Sequence, residues 1–82
     1  MKLSKEELRH MLANVLDVDV AEVTDTAEFV EDLGVDSLMA LEVLVALEKQ
    51  YQIKLDEAKL IEMRSLDSVY SLLSEMGLVN DA

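Results

Sequence analysis

The chain contains no cysteine, no proline and no tryptophan, only two glycines, and a single histidine, phenylalanine and pair of tyrosines as its ring-bearing side chains. Without cysteine there is no disulfide framework, no thiolate chemistry and no zinc site of the cysteine type, and the redox compartment is left open. The near absence of turn-forming residues and aromatics favours short helices packed through Leu, Val and Met. Positive charge is scarce as well: 7 Lys and Arg stand against 18 Asp and Glu, a formal charge of −11. That balance argues against nucleic acid, whose phosphates need Lys and Arg, and points to basic partners found by electrostatic steering. No apolar run reaches the roughly 18 residues that suggest a membrane span. The start of the chain lacks the apolar core of a signal peptide and the Arg-rich pattern of a transit peptide, so a cytoplasmic protein, or a mature form from which a targeting sequence has been removed, is expected. Asp17, Asp19 and Glu28 fall on a calcium-loop spacing, but Ala21 and Glu22 occupy a ligand position and the position that requires glycine, and no metal site is expected.

Eighty-two residues make one domain, 1–82, small enough to bury only about 60 to 65% of its unfolded surface. A first helix is expected over about Lys5 to Leu16: Ser4 and Glu7 form a capping box, Leu3 and Leu8 a hydrophobic staple, and Leu8, Met11, Leu12, Val15 and Leu16 one stripe. His10 falls beside that stripe and receives no role. Periodicity then fades over Asp17 to Val35, a connection of unusual length for a compact domain, with Val18, Val20, Val23, Phe29 and Leu33 as anchors and a short turn near Ala21 to Val23. A second helix is expected over Ser37 to Tyr51, a short third near Ala58 to Glu62 with Ala58, Ile61 and Met63 inward, and a last one after Ser65, ended by Gly77, with Val79 to Ala82 as a frayed tail. The fold class is therefore all-α, a small four-helix bundle of three main helices and a short one, with a long loop between the first two.

The most informative stretch is residues 31 to 48. An acidic approach with Gly34 runs into Asp36-Ser37, and nine apolar residues with Glu42 alone among them fill Leu38 to Leu47. Asp36 is a good N-cap, Gly34 can take the left-handed backbone of a tight turn, and the positive end of the helix dipole lies beside the Ser37 hydroxyl. A phosphate esterified there would be favourably placed. Leu38, Leu41 and Val45, with Leu44 and Leu47, can face the other helices, which leaves Met39, Val43 and Ala46 elsewhere. Met39 and Val43 are then candidates for a docking patch, with Glu42 and Glu48 supplying charge.

The run Phe29-Val30-Glu31-Asp32-Leu33-Gly34-Val35-Asp36-Ser37-Leu38 and the helix after it resemble an acyl carrier protein. The resemblance implies that Ser37 carries a 4'-phosphopantetheine arm derived from coenzyme A. Asp36 and Leu38 would lie in the surface read by a phosphopantetheinyl transferase, and acyl intermediates would travel as thioesters on the arm. It also implies docking of the Ser37 helix, through Asp36, Leu38, Met39, Glu42, Val43 and Glu48, on basic patches of acyl-loading and acyl-processing enzymes. The carrier itself would be a monomer. Met39 stands where carriers of primary fatty-acid synthesis often have an acid, and Ile53-Lys54-Leu55 lacks the proline common after the second helix; the hydrophobic Ser37-Leu38-Met39-Ala40 run resembles carriers of polyketide or other specialised pathways.

An enzyme is not expected. The single histidine lies on another helix, the Gly-x-Ser-x-Gly elbow is absent, and no carboxylate pair is singled out by an apolar setting. The alternative reading is a cofactor-free acidic helical interaction module in which Ser37 only starts a helix.

Overall fold

The computed structural model describes residues 2–77 and 79–80, and the side chains of residues 4–77. The chain runs β1 (Lys2–Leu3), α1 (Lys5–Leu16), a 3-10 turn (Val20–Glu22), α2 (Phe29–Leu33), α3 (Ser37–Tyr51), a 3-10 segment (Glu57–Glu62), α4 (Leu66–Glu75) and β2 (Val79–Asn80). Beyond the two-residue strands the described fold is helical, as expected.

Local chemistry accounts for the three long helices. Ser4, Asp36 and Ser65 sit in extended backbone, and each side chain accepts a bond from an amide in the first turn, at Glu7, Met39 and Ser68. Each such cap is worth about 1 kcal/mol. The inner stripe of α1 is Leu8, Leu12, Ala13 and Leu16, and that of α4 is Leu66, Val69, Leu72 and Leu73. They meet Val43, Leu44, Leu47 and Tyr51 of α3 in one buried cluster, to which Val23, Phe29, Val35, Leu55 and Met63 are added from the connections. Leu8, Leu12, Leu47, Leu66 and Leu73 are fully buried, each contributing about 1.5–3 kcal/mol of transfer free energy.

Three expectations need correction. The long connection is not a plain loop, because α2 occupies Phe29–Leu33 and is fixed from far along the chain by the Phe29 amide, which donates to the Arg64 carbonyl at 2.8 Å. The third helix is a 3-10 segment, and at three residues per turn Leu60 and Met63 turn inward while Ala58 is exposed and Ile61 is 81% exposed. Val79 and Asn80 do not fray: they pair in parallel with Lys2 and Leu3. Residues 81 and 82 of the expected tail, and the Leu3 side chain of the expected staple, lie outside the described residues.

Candidate functional site

Ser37 is placed by a loop whose two halves are tied down separately. In the first half, the Arg9 guanidinium donates to the Val23 carbonyl, to Asp25 Oδ1 at 2.6 Å and to Glu6 at 3.0 Å. Lys5 Nζ lies 3.2 Å from Asp25 Oδ2 and 2.6 Å from Asp67 Oδ1, and sits 5.5 Å from the Tyr70 ring centre. The Asp67 amide donates to the Asp25 carbonyl at 3.1 Å, so one loop residue is tied to both α1 and α4. Hydrogen bonds from Arg9, then from Lys5, hold the Asp25 carboxyl below its ordinary value, and Arg9 likewise lowers Glu6. Glu6 and Asp25 raise Arg9 in turn, while Asp67 is the main reason that Lys5 is raised.

The second half converges on Phe29. Its buried ring enters the core, its amide reaches Arg64, and its carbonyl accepts from both Gly34 and Val35, the latter at 2.9 Å. Gly34 ends α2 at φ +69, a backbone that L side chains seldom adopt. From there the chain enters α3. Asp36 Oδ1 accepts from the Met39 amide at 2.9 Å and the Asp36 carbonyl from the Ala40 amide at 3.0 Å. Ser37, the first residue of this 15-residue helix, is exposed. Its hydroxyl is open to another protein and adjoins first-turn amides that have no carbonyl within the helix, surroundings that suit a phosphodiester.

The remaining predicted site residues divide. Asp36 and Glu42 are exposed, Leu38 is 65% exposed, and Met39 is half-buried against the core. Val43 is not at the surface: at 1% exposure it belongs to the core. Glu48 is not a free surface charge either, because its Oε2 accepts from the Leu55 amide at 2.9 Å and pins the link that follows α3. The helix is rotated from the expected orientation. Ala40, Val43, Leu44, Leu47 and Tyr51 turn inward, whereas Leu38, Leu41, Glu42, Val45 and Lys49, with Val15 of α1, line a shallow outer depression. An almost wholly apolar helix carries no polar stripe to set its phase, so sequence spacing left the faces interchangeable.

A groove of about 410 Å³ lies between α2, α3 and the 3-10 segment, and its lining residues were not deducible from sequence spacing. Phe29, Val30 and Val35 form one side, Ala40 and Val43 another, and Leu60, Ile61 and Met63 a third. Its charged lining residues are Glu28, Glu31 and Arg64. Val35 and Ala40 lie two residues before and three after Ser37, so the groove begins beside the serine. The serine, the helix start and the adjoining groove together fit a phosphate-linked flexible arm with an apolar cargo. No group of three or more potential metal ligands occurs among the described residues.

Comparison with known proteins points the same way. Residues 6–73 match the family described as the phosphopantetheine attachment site. The chain is 60% identical over 76 residues to polyketide-8 synthase acyl carrier protein 2 of Streptomyces avermitilis, covering 92% of this chain and 87% of that one. It is 34% identical over 73 residues to an acyl carrier protein of Helicobacter pylori, with 89% and 94% covered. A solved structure from Mycobacterium tuberculosis, described as that of a candidate acyl carrier protein, superimposes with a TM-score of 0.77 at 23% identity, covering 89% of this chain and 99% of the other. This last likeness is one of fold.

Proposed function

The chain belongs to the phosphopantetheine-carrying acyl carrier proteins, and from that premise we propose that Ser37 is the attachment point, that residues 1–82 act as one carrier unit, and that the unit serves polyketide-type synthesis in the cytoplasm. The carrier role and the 4'-phosphopantetheine group follow from the family. Carriage in place of catalysis is its mode of action, and a cofactor-free interaction module is not favoured. The observation that carries the choice of residue is the exposed Ser37 at the start of α3, capped by Asp36 and adjoining the groove.

When bound, the arm supplies a thiol that holds an acyl group as a thioester. The protein's own work is presentation. Asp36 fixes the first turn through the Met39 amide, which holds Ser37 at the exposed start of α3, where the helix dipole favours an esterified phosphate. The transferase and the biosynthetic enzymes that follow it would meet the outer face of α3, where Leu38, Leu41 and Val45 supply apolar contact and Asp36 and Glu42 supply charge for basic patches. The polyketide assignment is supported by the Streptomyces relative and by Met39 at the position often acidic in primary fatty-acid carriers.

The test is intact mass before and after incubation with coenzyme A and a broad-specificity phosphopantetheinyl transferase. The expected result is a gain of one phosphopantetheinyl group in the wild type and none in Ser37→Ala. An unmodified wild type, with the enzyme active on a control carrier, or a modified Ser37→Ala, would overturn the assignment.

A further inference from the structure

The groove beside Ser37 is lined by eight apolar residues and three charged ones, and Arg64 is the single residue of that lining whose side chain carries an N–H or O–H donor. Glu28 and Glu31 can only accept when ionised. A saturated chain lying in such a groove needs no partner. A ketone oxygen that enters gives up part of its hydrogen bonding to water, a cost that a donor at the groove wall offsets.

Arg64 is built to be that donor. Its own carbonyl is fixed by the Phe29 amide at 2.8 Å, so its backbone is held against the start of α2 whatever its side chain does. Its Nη2 lies 2.8 Å from Glu28 Oε1, and Glu28 is itself placed by its amide, which donates to Asp32 Oδ2 at 2.8 Å. A guanidinium has five N–H donors in a fixed plane, and this carboxylate engages one of them, at an exposed position where an ion pair is weak and readily shared. Further donors can therefore turn to a neighbouring oxygen while the charge stays neutralised.

We propose that Arg64 is a specificity-determining residue of the groove, which lets it shelter tethered chains bearing ketone oxygens as well as saturated ones. The proposal rests on Ser37 being the attachment point, and it deepens that reading by naming the cargo class: oxygenated acyl chains of medium length, in keeping with a volume of about 410 Å³. Without Arg64 the groove wall would offer a ketone oxygen no side-chain donor.

The test loads Ser37 with pantetheine arms that end in octanoyl or 3-oxooctanoyl amides, the amide replacing the labile thioester. Mass spectrometry first confirms attachment. The methyl resonances of Val43 and Met63 then report whether the chain occupies the groove. Both chains should shift these resonances in the wild type. In Arg64→Met, which keeps an unbranched apolar stem, removes every side-chain donor and leaves the backbone bond to Phe29 intact, the equilibrium constant for seating the 3-oxo chain should fall about three-fold, the worth of one hydrogen bond from an exposed donor. That for the saturated chain should stay unchanged, and Arg64→Lys, which restores a donor, should recover most of the loss. Equal occupancy of the 3-oxo chain in Arg64→Met, an equal loss for both chains, or no shift from either chain in the wild type would overturn the proposal. Failure of attachment is seen at the mass step, and would instead overturn the reading of Ser37.

Discussion

The two halves of the connection between α1 and α3 are held by different chemistry. The first half ends at Asp25, a carboxylate caught between Arg9 and Lys5, with Lys5 also joined to Asp67 of α4. Among the described residues the second half pairs with one cation, Arg64, and is held chiefly through Phe29: a buried ring and three backbone bonds. From Asp17 to Asp36 there are eight acids and no base, so the cations of α1 meet the part of the loop farther from Ser37 in sequence. The approach to the serine keeps its negative charge. The contrast teaches that charge pairing secures the scaffold, whereas apolar burial and backbone bonds set up the site and leave its surface free for other proteins.

The largest effect expected from testing this contrast comes from the inner face of α3. Leu47→Ala removes a fully buried side chain and should cost about 2–5 kcal/mol, seen as a lower urea midpoint. On the outer face, Leu38→Ala should leave that midpoint nearly unchanged but lower kcat/KM for the transferase about ten-fold, the range of an interface contact that matters. If both variants merely destabilise, the two faces are not distinct in function.

A smaller effect is expected at the clamp. Arg9→Met should lower Tm by less than Leu47→Ala and speed hydrogen exchange at the Asp67 amide, while the rate of Ser37 modification changes little. Acid sharpens the same point. Asp25 is held below its ordinary value of 3.8, so its contribution is complete above that value and is lost as pH falls through the lower folded one. Asp25→Asn should therefore flatten the part of the stability profile below about pH 4 and lower stability at neutral pH. A profile equally steep in the variant would show that the clamp does not stabilise the fold.

The smallest change concerns the turn before the serine. Gly34→Ala meets no atom within 4 Å, so its whole effect is that of an L residue at φ +69, about 1 kcal/mol. Raised salt should also slow modification of the wild type, because Asp36 and Glu42 are exposed beside Leu38. The loss caused by Leu38→Ala should persist at every salt concentration.

What could be read from the sequence was local. The bounds of α1 and α3, the caps at Ser4, Asp36 and Ser65, the loop anchors and the exposed Ser37 all depend on residues within a few positions of one another. What escaped depends on distance along the chain. Arg9 finds Asp25 16 residues away, and α2 is pinned by a carbonyl 35 residues on, between Phe29 and Arg64. The face of α3 escaped for a different reason: Val43 and Val45 are equally apolar, and only the packed neighbours decide that the first is buried and the second exposed. Glu48 likewise gave no sign that it would accept from the Leu55 amide.

The most direct test of the central claim is to locate the modification within the chain. After treatment with coenzyme A and the transferase, proteolytic fragments should be sequenced by mass spectrometry under conditions that retain the phosphodiester. The account predicts the added group on Ser37 alone, with Ser4, Ser65, Ser68, Ser71 and Ser74 unmodified. A group found on any of those serines, or an unmodified Ser37 in a folded protein, would contradict it.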